Sequence, residues 1–141
     1  MANGWLILNI RSAEIYKMKI ALIIFAGSGA GGVMRYFIQR FFVDAGFIAF
    51  PAGTFVVNIM GCFLIGLFEA LAAKNNIISV EWRLALTTGL CGGFTTFSTF
   101  ANENINLLRN GDYGIFFLYL ILSIVLGLGA VMLGNYIVSF F

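Results

Sequence analysis

Histidine is absent from this 141-residue chain. Imidazole ligation of a metal and histidine proton relays are thereby excluded. Charge is scarce: 10% of residues are Asp, Glu, Lys or Arg, against about 25% in a soluble domain. Cysteine is limited to Cys62 and Cys91. Both fall in apolar stretches, where inert packing thiols are expected and a disulfide is not. The net charge of +2 reads as basic flanking of a membrane, and no nucleic-acid patch is visible. What remains is 61% hydrophobic, with a mean hydropathy of +0.99. This is the composition of an integral membrane protein with almost nothing left over for a soluble domain.

A spanning helix needs roughly 20 apolar residues. Four such stretches are present, at Ile20–Phe42, Pro51–Ala73, Trp82–Arg109 and Tyr113–Phe140. The short loops between them predict an all-α bundle with antiparallel neighbours. Gly27, Gly31, Gly53, Gly61, Gly66, Gly127 and Gly134 fit close helix contact of the small-xxx-small kind. One four-helix chain leaves little room for an open pore, so self-association is expected. Residues 1–17 read as a variable extension, and residues 18–141 as the membrane domain. Within the extension, Trp5, Leu6 and Ile7 are placed to rest on the membrane surface.

Orientation follows the Lys/Arg bias of short loops. Lys19, Lys74 and Arg83 fall on the side of the termini, and Arg35, Arg40 and Arg109 on the other. The balance gives no strong instruction, so insertion in both orientations is expected. Arg11 and Lys17 of the extension tilt the balance toward cytoplasmic termini.

The most informative stretch is Thr87–Phe100, which is polar, glycine-broken and rich in phenylalanine inside a span. Irregular backbone at that depth must be buried in protein or line a polar cavity. The Gly92-Gly93 pair is expected to break the third helix and free carbonyl oxygens, which hold Na⁺ in other membrane proteins. Phe97 and Phe100 lie three apart among Thr95, Thr96, Ser98 and Thr99. Ring edges carry partial positive charge and can favour an anion without gripping it; ordinary aromatic packing is the other reading. In the second span Thr54 and Asn58 share a helical face at i, i+4. Asn58 is either glue between helices or a rung of a pore. Tyr119 and Ser123 repeat that spacing in the fourth span. Glu103 is an intramembrane carboxylate and a functional candidate by default. Arg35 either snorkels to the headgroups or lends positive potential to a vestibule. The deep polar groups are mostly neutral donors, as a pathway for a small hard anion requires.

Three segments carry a resemblance: Gly31-Gly32-Val33-Met34-Arg35-Tyr36, Gly53-Thr54-Phe55-Val56-Val57-Asn58-Ile59-Met60-Gly61, and Thr87–Phe100. In this order and spacing the chain, from about Met18 to Phe141, resembles the Fluc (CrcB) family of fluoride channels. The resemblance implies a non-enzymatic, passive fluoride channel of the inner (plasma) membrane. It implies a dual-topology homodimer of antiparallel subunits with two pores in the lipid bilayer. It further implies that Asn58 stands in the pore, that the edges of Phe97 and Phe100 face fluoride, and that Ser98 and Thr99 lie beside them. Gly92 and Thr95 match positions whose carbonyls hold a structural Na⁺ at the dimer interface. Tyr119 and Ser123 match a polar track, shortened here by Gly127, and Glu103 matches a carboxylate near a pore mouth. Two other readings compete with this one. A proton-coupled exporter of the small multidrug-resistance type needs a carboxylate in its first span, and Ile20–Phe42 has none. A non-conducting assembly subunit accounts for the glycines but not for the alignment of Asn58, Phe97 and Ser98.

Overall fold

The computed structural model describes residues 2–47, 49–74 and 78–140, with side chains described from residue 11 onward. The described residues form helices joined by turns and short irregular stretches, and no strand occurs among them. The order is α1 (Ala2–Asp44), α2 (Ala52–Ala73), α3 (Val80–Leu84), a π-helical stretch (Ala85–Cys91), α4 (Gly92–Phe94), α5 (Phe97–Asn110) and α6 (Tyr113–Ser139). Among the described residues, three helices are long and apolar enough to cross a membrane: Arg11–Asp44, Ala52–Ala73 and Tyr113–Ser139. With four apolar segments in its sequence, the chain is a multi-pass membrane protein.

Helix α1 has 43 residues, which at 1.5 Å per residue is about 65 Å, roughly twice a bilayer's hydrocarbon core. It begins well before Ile20 and runs without interruption through Lys17. The surface role expected for Trp5, Leu6 and Ile7 concerns side chains outside those described.

The third segment differs from expectation in one respect. Its helix does not break at Gly92-Gly93. Gly92 keeps helical dihedrals, φ −62° and ψ −39°. The path leaves the helix at Thr95 (φ −80°, ψ 159°) and Thr96 (φ −151°, ψ 109°). The glycine is spent on packing instead. A Cβ on Gly93 would run into the backbone of Ser28, and one on Gly31 into the Leu90 carbonyl and the Phe94 amide. Gly27 and Gly89 meet in the same way one turn earlier. A small-xxx-small row on α1 therefore faces a second on the π-helix and α4, and the backbones come into contact. Ser28 Oγ adds a bond of 3.3 Å to the Gly89 carbonyl.

A second parallel seam joins α2 and α6. A Cβ on Gly127 would lie 3.5 Å from Cys62 Sγ, and one on Gly134 would strike the backbone of Phe63 and Leu67. Turns close the bundle. Gly111 adopts φ 81° at the end of α5, the left-handed conformation that glycine takes most readily. The bundle end holding Lys19, Lys74 and Arg83 is tied by Lys19–Glu81 at 3.5 Å, Arg83–Glu69 at 2.6 Å, and Lys74 Nζ on the Val138 carbonyl at 3.0 Å. These three basic residues thus share one side, as their loop positions predict. Exposed pairs of this sort contribute about 0–1 kcal/mol each, so they trim the ends of a bundle that glycine packing holds together.

Candidate functional site

The site is organised by the break in the third segment. Two exposed peptide units at this depth need protein partners. Asn58, one turn into α2 from Thr54, supplies them. The Thr96 amide donates to Asn58 Oδ1 at 2.8 Å, and Asn58 Nδ2 donates to the Thr96 carbonyl at 3.3 Å. Three residues further along α2, Gly61 makes room for Thr95, whose methyl occupies the space that a Cβ would take. Thr96 then caps α5: its hydroxyl accepts from the Thr99 amide at 3.3 Å, a common way to start a helix. The same hydroxyl donates to Thr99 Oγ1 at 2.9 Å.

A cavity of about 370 Å³ opens beside this break. Asn58, Phe97, Phe100 and Ser123 line it, together with Gly92, Thr95 and the two cysteines. The Phe97 and Phe100 rings form a tilted pair, centroids 5.9 Å apart at 40°. Phe97 is 80% exposed within the protomer. The Ser123 hydroxyl is buried and has no hydrogen-bond partner. Asn58 uses one amide hydrogen on Thr96 and retains a second. The cavity is lined by neutral polar groups and aromatic rings, with no charged group among its lining residues.

A second cavity, about 440 Å³, lies toward the opposite end of the bundle and is lined by Gln39, Thr54, Thr99 and Glu103 among others. Here the hydrogen bonds form a directed chain. Gln39 Nε2 donates to Thr54 Oγ1 at 3.0 Å. Thr54 donates to Glu103 Oε1 at 2.7 Å, and Tyr119 donates to Glu103 Oε2 at 2.8 Å. Both carboxylate oxygens are therefore engaged by neutral hydroxyls. Tyr119 is fully buried, at 0% exposure, and its ring packs edge-on against Phe100 at 5.0 Å and Phe50 at 5.4 Å.

Of the residues singled out from sequence, Asn58, Phe97, Phe100, Ser123, Gly92 and Thr95 meet at the first cavity. Thr54, Thr99 and Glu103 meet at the second. Tyr119 bridges the two. Ser98 is exposed and touches Thr96 Oγ1 at 3.3 Å, outside both linings. Arg35 is half-buried and lines neither cavity. Gln39 was not among the expected residues. It faces Gly53, where a Cβ would lie 2.9 Å from the Gln39 Cα, a contact across the bundle that leaves no signal in the sequence.

The Gly92 and Thr95 carbonyls also have a distinctive position. In a continuing α-helix they would accept from the Thr96 and Thr99 amides. Those amides go instead to Asn58 Oδ1 and Thr96 Oγ1. Two carbonyls released from the ladder suit a hard cation, which takes oxygen ligands. The residues present therefore fit such an ion.

Residues 22–135 match the family model described as CrcB-like protein, Camphor Resistance (CrcB). The "Fluoride-specific ion channel FluC" of Phocaeicola vulgatus is 53% identical over 117 residues, covering 83% of this chain and 96% of its own length. The protein of the same name from Bacteroides fragilis is 49% identical over 123 residues, covering 85% and 96%. That of Flavobacterium psychrophilum is 47% identical over 117 residues, covering 83% and 94%. With a family match across most of its length and these levels of identity, the chain belongs to the CrcB-like family.

Proposed function

We propose that this protein is a passive, fluoride-selective channel that lets cytoplasmic fluoride out across the inner (plasma) membrane. The carrying observation is the convergence of Asn58, Phe97, Phe100 and the unpartnered Ser123 hydroxyl on one cavity without a formal charge. Fluoride is small and strongly hydrated. It enters such a path by exchanging water for neutral donors, and it leaves because no full positive charge holds it. Conduction needs this moderate, multi-site binding. The names of the relatives support the same ion.

The proposed route runs from the first cavity, past the Phe100 and Tyr119 rings, to the second, where Thr99 and Glu103 stand at the mouth. Thr99 Oγ1 accepts from Thr96, so its own proton is available to an anion. Glu103 holds the protons of Thr54 and Tyr119, and a passing fluoride competes with the carboxylate for them. Arg35 and Ser98 contribute to the vestibule and the rim. Two such chains pair antiparallel as a dual-topology homodimer with two pores. That arrangement accounts for Phe97 standing 80% exposed in the single protomer. The carbonyls of Gly92 and Thr95 would hold a Na⁺ between the subunits, supplying a structural charge without any side-chain ion.

Passive conduction suffices for export. The inside-negative potential drives an anion outward at about 2.3 kcal/mol per charge per 100 mV. Fluoride efflux from liposomes carrying the purified protein tests the reading. A channel releases fluoride with no pH gradient imposed, while efflux that requires a proton gradient indicates a coupled exporter.

A further inference from the structure

The two hydrogen bonds between Asn58 and Thr96 carry a consequence beyond the anion path. We infer that Asn58 is also the positioning residue for the cation carbonyls: by holding the Thr96 amide it keeps the Gly92 carbonyl out of the helical ladder. This rests on the proposed Na⁺ site and adds to it the residue that builds it.

The third segment is helical through Phe94, and the Thr95 amide still closes on the Cys91 carbonyl at 2.9 Å. The next amide in register is that of Thr96, and its helical acceptor would be Gly92. It is diverted to Asn58 Oδ1 at 2.8 Å. Glycine at 92 and 93 is no obstacle to continuing the helix, since Gly92 already has helical dihedrals. Nothing in these residues alone stops the turn from closing. The stop comes from α2: Asn58 takes the amide and also satisfies the Thr96 carbonyl, while the missing side chain of Gly61 admits Thr95. Thr96 in turn diverts the Thr99 amide, which releases the Thr95 carbonyl. One side chain on α2 thus lines the cavity and sets up both carbonyls at the break. Anion path and cation site are built on a single amide group.

The test separates these two duties. The purified dimer is titrated with Na⁺ against N-methylglucamine at constant ionic strength, and the Na⁺ concentration at half-maximal thermal stabilisation is read. Asn58→Leu, which loses both bonds, is expected to raise that midpoint at least tenfold. Asn58→Asp keeps an oxygen for the Thr96 amide. Its midpoint is expected within threefold of the unaltered protein, although its carboxylate repels fluoride and stops flux. Should Asn58→Leu not fold, Asn58→Ser, whose hydroxyl is too short to reach Thr96, is read in its place with the same expectation. An unchanged midpoint in the Leu or Ser variant overturns the inference while leaving the cation site standing. So does an equal shift in the Asp and Leu variants. An unaltered dimer whose stability ignores Na⁺ removes the cation site and the inference together.

Discussion

The hydroxyl of Tyr119 donates to Glu103 Oε2 at 2.8 Å, while the Tyr119 ring packs edge-on against Phe100, one turn earlier on α5. One residue of α6 therefore joins the aromatic wall of the first cavity to the carboxylate of the second. Glu103 takes its other hydrogen bond from Thr54 at 2.7 Å, so α2, α5 and α6 meet at a single acidic group.

Removing either donor leaves a half-satisfied carboxylate. Hydrogen bonds to a charged group contribute about 1.5–3 kcal/mol each, so Tyr119→Phe and Thr54→Val are each expected to destabilise the protein by about that amount. Residues that share a partner do not add. The double variant should therefore depart from the sum of the two by about 0.5 kcal/mol or more. Additive unfolding free energies in a double-mutant cycle would show that Glu103 does not couple them.

Gln39→Leu tests the far end of the same chain. Gln39 Nε2 donates to Thr54 Oγ1, which keeps the threonine proton aimed at Glu103. Loss of a neutral bond costs about 0.5–1.5 kcal/mol, so the stability change should be smaller than that of Thr54→Val, with a reduced fluoride flux. A Gln39→Leu variant with unchanged flux and stability would make this bond incidental.

These relationships differ in how far the sequence reveals them. The i, i+4 spacing of Thr54 and Asn58 places both on one face, and the structure shows that face turned to the third segment. Sequence leaves two roles open for Asn58, glue between helices or pore rung; in the structure it bonds the break and lines the first cavity. The position of the break was not legible. A glycine pair in a span suggests an interrupted helix, but the space left by Gly93 is filled by the backbone of Ser28, a contact 65 residues away in the chain. At the interruption the Thr96 amide and carbonyl are both held by Asn58, on another helix. Gln39 was hidden for a similar reason. A glutamine near the end of a span looks like an interfacial residue until its partner across the bundle is known. Phe50 and Phe55, which pack on Tyr119, are indistinguishable by composition from the other phenylalanines of the chain.

Phe97→Ile isolates the ring edge from packing. Phe97 is 80% exposed in the protomer, so little intrachain packing is lost when its ring is replaced. Ring-edge contacts contribute about 0.5–1.5 kcal/mol beyond burial, and the expected outcome is a several-fold to tenfold drop in fluoride flux with the dimer intact. Phe100→Ile should lower flux as well, and also stability, because its ring packs on Tyr119 at 5.0 Å. Full flux in both variants would return the pair to ordinary packing.

Gly31→Ala probes the seam that positions the third segment. A Cβ at Gly31 has backbone of Leu90, Gly93 and Phe94 in its way. Overpacking against backbone costs about 1–3 kcal/mol. Gly114→Ala provides the comparison, because a Cβ there meets nothing within 4 Å; it should be neutral or slightly stabilising, since alanine favours a helix over glycine by up to about 1 kcal/mol. Equal thermal stabilities of the two variants would remove the seam from the account.

The most direct measurement is anion release from proteoliposomes loaded with equal fluoride and chloride, with a potassium ionophore setting the potential and no pH gradient. The account predicts rapid fluoride efflux while chloride stays trapped, because a narrow path of neutral donors and ring edges replaces the hydration of the smaller ion only. Chloride leaving at a rate similar to fluoride, or fluoride leaving no faster than from protein-free liposomes, would contradict it.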